Sequence, residues 1–165
     1  MTDPKTPQQL FEFLDDLGIE TETVEHPPVF TVEQAKELRG TLPGAHSKNL
    51  FLRNKKSQMY LMVALEDRRI DLKRLGDQLG IGRLSFGSPE RLMTYLGVIP
   101  GAVSPFAVIN DDTNEVQVFL DRGLLDSDRL NFHPLDNGQT TGIATADLIR
   151  FLGAAGHEPQ IVDLE

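Results

Sequence analysis

Two residues and one loop carry the chemistry this chain could perform. Lys48 stands in Ser47-Lys48-Asn49-Leu50-Phe51-Leu52, at the start of an apolar strand pattern. Strand alternation places Lys48, Leu50 and Leu52 on one face and Asn49, Phe51 and Arg53 on the other. A lysine in an inward row is costly unless a pocket, a phosphate or a carboxylate receives it. The alternative is a strand-end lysine whose stem lies along the sheet while its ammonium reaches water. His133 follows Phe132 and precedes Pro134, at a strand-to-loop junction that suits a proton-handling histidine and equally a structural one. The third feature is Gly97-Val-Ile-Pro-Gly-Ala-Val-Ser-Pro-Phe106, which holds no charge. Its prolines fix φ and its glycines free it, so it reads as a shaped loop. At its centre Gly101, Ala102, Val103, Ser104 and Pro105 offer small side chains and backbone N–H groups, as a pocket wall would.

Other chemistries find less support. His46 shares the Lys48 face, while His26 before Pro27-Pro28 and His157 after Gly156 read as surface or turn residues. No His-x-x-x-His or Glu-x-x-His pair occurs and there is no cysteine, so neither a metal site, a disulfide nor a thiolate nucleophile is expected. Ser104, His133 and Asp136 could be assembled into a triad, but the Gly-x-Ser-x-Gly elbow is missing. No Walker or Rossmann glycine motif occurs, and no cofactor is expected.

Composition sets the frame for these residues. The 165 residues, 39% apolar and 25% charged, suit one globular domain spanning 1–165. The opening Met-Thr-Asp-Pro-Lys is no signal peptide and no apolar run nears membrane-spanning length, so a cytoplasmic protein without membrane partners is expected. The net charge is −9, yet residues 48–91 carry ten Lys/Arg against five Asp/Glu. An acidic body with one basic stretch fits limited contact with a polyanion. It does not fit general duplex DNA binding, and there is no helix-turn-helix cue.

The elements that must position the site are punctuated by their caps. Thr6, Pro7 and Gly18 bracket a helix over 6–18, and Thr31 with Gln34 opens one over 31–38. Residues 46–53 and 58–65 form a hairpin around 54–57, after a strand at 21–26. Asp71 and Gly80 bound a helix over 71–79, Ser88-Pro89 and Gly97 bound another, and Thr145 caps a helix over 146–155. Strands are expected at 83–86, 115–120, 130–132, 140–144 and 160–164. Hairpins outnumber β-α-β crossovers, which makes this an α+β domain with a mixed, mostly antiparallel sheet.

Four segments together resemble the YbaK/prolyl-tRNA-synthetase-associated editing superfamily. They are Lys48-Asn-Leu-Phe-Leu-Arg53, Arg83-Leu-Ser-Phe-Gly-Ser-Pro-Glu90, Gly97 to Phe106 and Asn131-Phe-His-Pro134. They occur in the family order, the likeness runs from about residue 24 to 164, and the arrangement is most similar to free-standing alanyl-tRNA(Pro) deacylases of the ProXp-ala or PrdX branch. The resemblance implies a partly barrel-like sheet with flanking helices and hydrolysis of a wrong aminoacyl ester from the 3′-terminal adenosine of tRNA(Pro), without metal or cofactor. It makes Lys48 the essential lysine, Gly101 to Pro105 the substrate loop and His133 the pocket histidine. Asn49 stands where other branches carry threonine, and Leu135 where some members carry asparagine.

On this reading Lys48 meets a phosphate, and Arg83, Lys55 and Lys56 hold the acceptor stem. Loop amides polarise the ester carbonyl, and water attacks with help from a ribose hydroxyl that His133 orients. Phe30, Val103 and Phe106 are candidate walls of a pocket too small for proline, and equally candidates for plain core. The expected substrate is Ala-tRNA(Pro); the alternatives are Cys-tRNA(Pro) or another small aminoacyl ester, or a non-catalytic tRNA-binding module. A prolyl-tRNA synthetase is a candidate partner, and a monomer is the default.

Overall fold

A computed structural model describes residues 3–26 and 44–164. The helix expected over 31–38 and the candidate wall Phe30 lie outside these residues. Local sequence chemistry explains most element ends. Helix α1 (Pro7–Asp16) opens with a reciprocal capping box: Gln9 N–H donates to the Thr6 hydroxyl at 3.2 Å and Thr6 N–H to the Gln9 side chain at 2.9 Å. Helix α2 (Leu72–Leu79) starts on the Asp71 carboxylate, which accepts from Lys73 N–H at 2.9 Å, and ends on Gly80 at φ +67°. Helix α3 (Pro89–Leu96) is capped by Ser88 and ended by Gly97 at φ +66°. Helix α4 (Thr145–Ala154) departs from expectation. Its cap position is Ala144, and the Thr145 hydroxyl donates to the Ser127 carbonyl at 2.6 Å, which ties the helix start to the preceding loop.

Eight strands follow in chain order: β1 (Thr21–Glu25), β2 (Ala45–Arg53), β3 (Met59–Leu65), β4 (Ser85–Phe86), β5 (Val116–Asp121), β6 (Arg129–Phe132), β7 (Gln139–Ala144) and β8 (Gln160–Val162). They form one mixed, mostly antiparallel sheet in the order β1-β7-β6-β2-β3-β5-β8, with β4 on β2, and the sheet stops short of closing into a barrel. The β2–β3 hairpin runs antiparallel with Phe51 opposite Leu61 and Lys48 opposite Ala64. The pairings of β2 with β6, β3 with β5 and β5 with β8 are parallel.

Strand β2 changes neighbours along its length. On the side away from β3 it is bonded to β6 at Ala45 and His46, then to β4 at Leu52 and Arg53. Residues 47–51 have no strand partner on that edge among the described residues. Alternation along β2 and β3 serves two cores. Phe51, Leu61 and Val63 join the main cluster with Leu10, Phe106, Phe132 and Phe151, beneath α1 and α4. Leu52, Tyr60, Met62 and Ala64 join a smaller cluster with Leu75 of α2, Leu84 and Phe119.

Two buried carboxylates fasten the sheet. The Asp121 carboxylate accepts from Arg68 at 3.0 and 3.2 Å, from Leu65 N–H at 3.1 Å and from Gly123 N–H at 2.9 Å, joining the ends of β3 and β5. Asp111 accepts from His157 Nε2 at 2.8 Å and from the amides of Glu115 and Val116 at 3.0 and 2.8 Å. His157 is therefore a buried tie between the end of α4 and the start of β5, and the reading of it as a surface or turn residue is corrected.

Candidate active site

The uncharged loop folds as two short 3-10 turns, 100–102 and 105–110, because Pro100 and Pro105 each fix φ at the first helical position. Ser104 between them is fully buried, and its hydroxyl donates to the His133 backbone carbonyl at 2.7 Å. Phe106 sits edge-on to Phe132, ring centroids 5.8 Å apart. The loop is thus docked against the end of β6, where His133 stands. Gly101 and Val103 are half-buried, whereas Ala102, Ser104 and Pro105 pack inward and shape the loop from behind. The Ala102 amide is spent on the Ile99 carbonyl at 2.9 Å. Gly101 and Val103, the half-buried residues of the loop, carry its candidate donors to a ligand.

A Ser-His-Asp triad is not formed. The Ser104 hydroxyl serves the His133 main chain rather than its ring, and Asp136 accepts from Gly138 N–H and the Gln139 side chain. The His133 ring instead places Nδ1 2.8 Å from the Gln139 carbonyl. A carbonyl only accepts, so Nδ1 carries the proton and Nε2 is left with its lone pair. Burial pushes the His133 pKa down from its ordinary 6.5; the nearby His26 adds to this, and the Gln139 carbonyl and Asp136 oppose it. The ring is neutral at physiological pH, with one acceptor nitrogen. His26, read as a surface or turn residue, stands beside it at a ring-centroid distance of 6.1 Å and makes a 2.8 Å bond from Nε2 to the Thr140 hydroxyl.

Lys48 and Asn49 occupy the stretch of β2 that has no strand partner on its β6 side among the described residues. The β2–β6 pairing ends at His46 with Asn131. Counting on in register, Lys48 falls level with His133, two residues beyond the last pair. Lys48 is half-buried and has no hydrogen-bond or ion-pair partner among the described residues. Asn49 donates to the Ser47 hydroxyl at 3.3 Å, and its buried Oδ1 has no partner among the described residues. A buried amide oxygen without a donor is costly, and here it stands ready for a hydroxyl or ammonium group. Phe106 is fully enclosed between Phe132 and Phe151, so it is core; Val103 leans on that core from the loop.

The basic residues converge as well. Lys55 and Lys56, at the β2–β3 turn, and Arg83, after α2, line one cavity of about 390 Å³ with Asn54 and Gly80 to Gly82. Asn54 builds its floor. Its amide donates to the Ile81 carbonyl at 3.1 Å and the Tyr60 hydroxyl at 3.2 Å, while its oxygen accepts from Lys56 and Gln58 N–H at 3.0 Å each. None of the three cations has an acidic partner among the described residues. No group of three or more metal-ligating side chains occurs among those residues, and none of their helices is long and apolar enough to cross a membrane.

A family model for the aminoacyl-tRNA editing domain matches residues 26–151. The chain belongs to that family. It is 40% identical over 158 residues to the prolyl-tRNA editing protein ProX of Acetoanaerobium sticklandii, covering 95% of this chain and 96% of that one. It is 40% identical over 162 residues to the mouse prolyl-tRNA synthetase associated domain-containing protein 1, covering 95% of each. Identity to the multifunctional Ser/Thr-tRNA deacylase ProXp-y of Escherichia coli is 31% over 105 residues, 62% of this chain and 63% of that one. A solved structure described provisionally as a trans-editing enzyme for prolyl tRNA synthetase superposes with a TM-score of 0.75 at 22% identity, covering 96% of each chain, which shows the shared fold.

Proposed function

We propose that this editing domain hydrolyses the ester of mischarged Ala-tRNA(Pro) at the 3′-terminal adenosine, in trans and in the cytoplasm. The observation that supports the reading best is the 2.7 Å bond by which Ser104 holds the uncharged loop against His133, beside the stretch of β2 that bears Lys48 and Asn49 and has no strand partner on that side among the described residues. Water adds to the ester carbonyl carbon, the carbon–oxygen bond to the ribose breaks, and the ribose oxygen leaves with a proton. Free alanine and the tRNA hydroxyl result. Gly101 and Val103 amides stabilise the charge that develops on the carbonyl oxygen. Neutral His133 accepts from the adjacent ribose hydroxyl through Nε2, orienting it toward the water, and the Asn49 oxygen receives the substrate ammonium. Lys48 neutralises the terminal phosphate, while Lys55, Lys56 and Arg83 follow the acceptor strand.

Size explains why such a site is needed. A pocket built for proline rejects the smaller alanine weakly, about 1–3 kcal/mol per methylene, whereas a second pocket too small for proline rejects it sterically. The relatives named for prolyl-tRNA editing support the tRNA(Pro) part of the reading. Deacylation of the Ala, Cys, Ser and Pro esters of tRNA(Pro) is the test. The Ala ester falls fastest and the Pro ester survives. Faster loss of the Cys or Ser ester reassigns the substrate within the same chemistry, rapid loss of the Pro ester defeats the editing reading, and tight tRNA binding without hydrolysis indicates a non-catalytic module.

A further inference from the structure

Phe86 is 62% exposed, the largest exposure among the large apolar side chains of the described residues. It is held rigidly. Strand β4 pairs Phe86 with Leu52 and Ser85 with Arg53, and the next amide, Gly87 N–H, donates to the Phe51 carbonyl at 2.9 Å. Gly87 lies so close under the Phe51 ring that a side chain there would collide with it, and Ser88 then caps α3. The backbone on both sides of the ring is therefore fixed while the ring itself faces solvent.

Its surroundings indicate what it meets. Paired residues on neighbouring strands share a face, so Phe86 stands on the face of Leu52, Leu50 and Lys48. Lys48 lies four residues along β2 from Leu52, about 13 Å at ordinary strand rise. On the other side Arg83 precedes Phe86 by three residues and lines the cavity with Lys55 and Lys56. An exposed aromatic flanked by unpaired cations is the arrangement by which proteins hold single-stranded nucleic acid, with bases on the ring and phosphates on the cations.

We propose that Phe86 is a stacking platform for an unpaired nucleobase near the 3′ end of the RNA, between the Lys55/Lys56/Arg83 cavity and Lys48. This rests on the RNA-substrate reading above, but it is tested without hydrolysis. The probes are two uncharged RNA hairpins of the same stem, one ending in a single-stranded 3′ tail and one blunt, with affinity read by fluorescence anisotropy. Phe86→Ala weakens the tailed hairpin about tenfold and leaves the blunt one unchanged, while Phe86→Tyr restores the tailed hairpin. The chain has no tryptophan, so Phe86→Trp introduces a single indole whose emission is quenched by the tailed hairpin and not by the blunt one. Thermal melting confirms that the variants fold. Tailed-hairpin affinity that is unchanged in Phe86→Ala, or fully kept by Phe86→Leu, overturns the platform. A protein that hydrolyses its ester while failing this test loses only the platform. One that passes it yet hydrolyses no ester loses only the catalytic reading.

Discussion

At the residue scale, the proposed site divides its tasks between one cation and one neutral ring. Among the described residues Lys48 has no acidic partner to compete with a phosphate, and its half-buried position strengthens an ionic contact relative to bulk water. Lys48→Ala lowers deacylation of the Ala ester about a hundredfold or more, read in single-turnover assays, with the melting temperature little changed. On the proposed reading His133 acts in its neutral form, because burial disfavours the charged ring and pushes its pKa below the ordinary 6.5. The rate therefore falls as acid protonates Nε2 below that value, and it does not depend on this ring at higher pH. His133→Gln keeps an acceptor that cannot titrate, so its slower rate loses that acid limb; a variant profile with the same limb would assign it elsewhere. The sequence displayed Lys48, His133 and the loop, because strand alternation, a strand end and proline chemistry are local signals. It concealed His26 and His157, whose roles depend on chain that returns from far away: Thr140 and Asp111 are 114 and 46 residues distant.

At the element scale, the caps were legible and the parallel pairings were not. Thr6, Asp71, Ser88, Gly80 and Gly97 each end an element where side-chain chemistry or φ places the end, and the β2–β3 hairpin follows from its short turn. The pairings of β2 with β6 and β5 with β8 leave no turn in the sequence, so nothing local announces them. Thr145 has a cap's composition, yet the Ser127 carbonyl takes its hydroxyl. The placement of Arg83 depends on α2, whose Gly76 packs directly on the Gly82 backbone. Gly76→Ala forces that segment outward, costs about 1–3 kcal/mol in urea unfolding, and weakens RNA affinity. Gly153→Ala on α4 meets open space and is the control, neutral or stabilising by up to about 1 kcal/mol.

At the scale of the whole molecule, stability depends on buried carboxylates that must stay ionised. Burial alone would raise the Asp111 pKa, but the His157 ring and the amides of Val116 and Glu115 outweigh it and hold it below 3.8. Asp121 is held low in the same way by Arg68 and two amides. A depressed carboxyl pKa stabilises the fold above its unfolded value and loses that contribution as pH falls through the folded one. Unfolding in urea should thus become easier below about pH 4, and Asp111→Asn should be about 3 kcal/mol less stable at pH 7 with a flatter response to acid. Equal acid sensitivity in variant and parent would place the titration elsewhere.

The alternation of β2 has a wider consequence. Asn49 and the 101–105 loop rest on the layer of Phe51 and Phe106, while Lys48 and Phe86 stand on the face of Leu52, over a separate layer. Adjacent residues of one strand thus report to different foundations. If the proposed roles hold, substitutions in the larger layer reshape what is admitted beside Asn49 without disturbing the contacts to the nucleic acid, and the smaller layer can drift to suit another RNA while the amino-acid preference stays constant. A protein built this way can change either half of its substrate one mutation at a time.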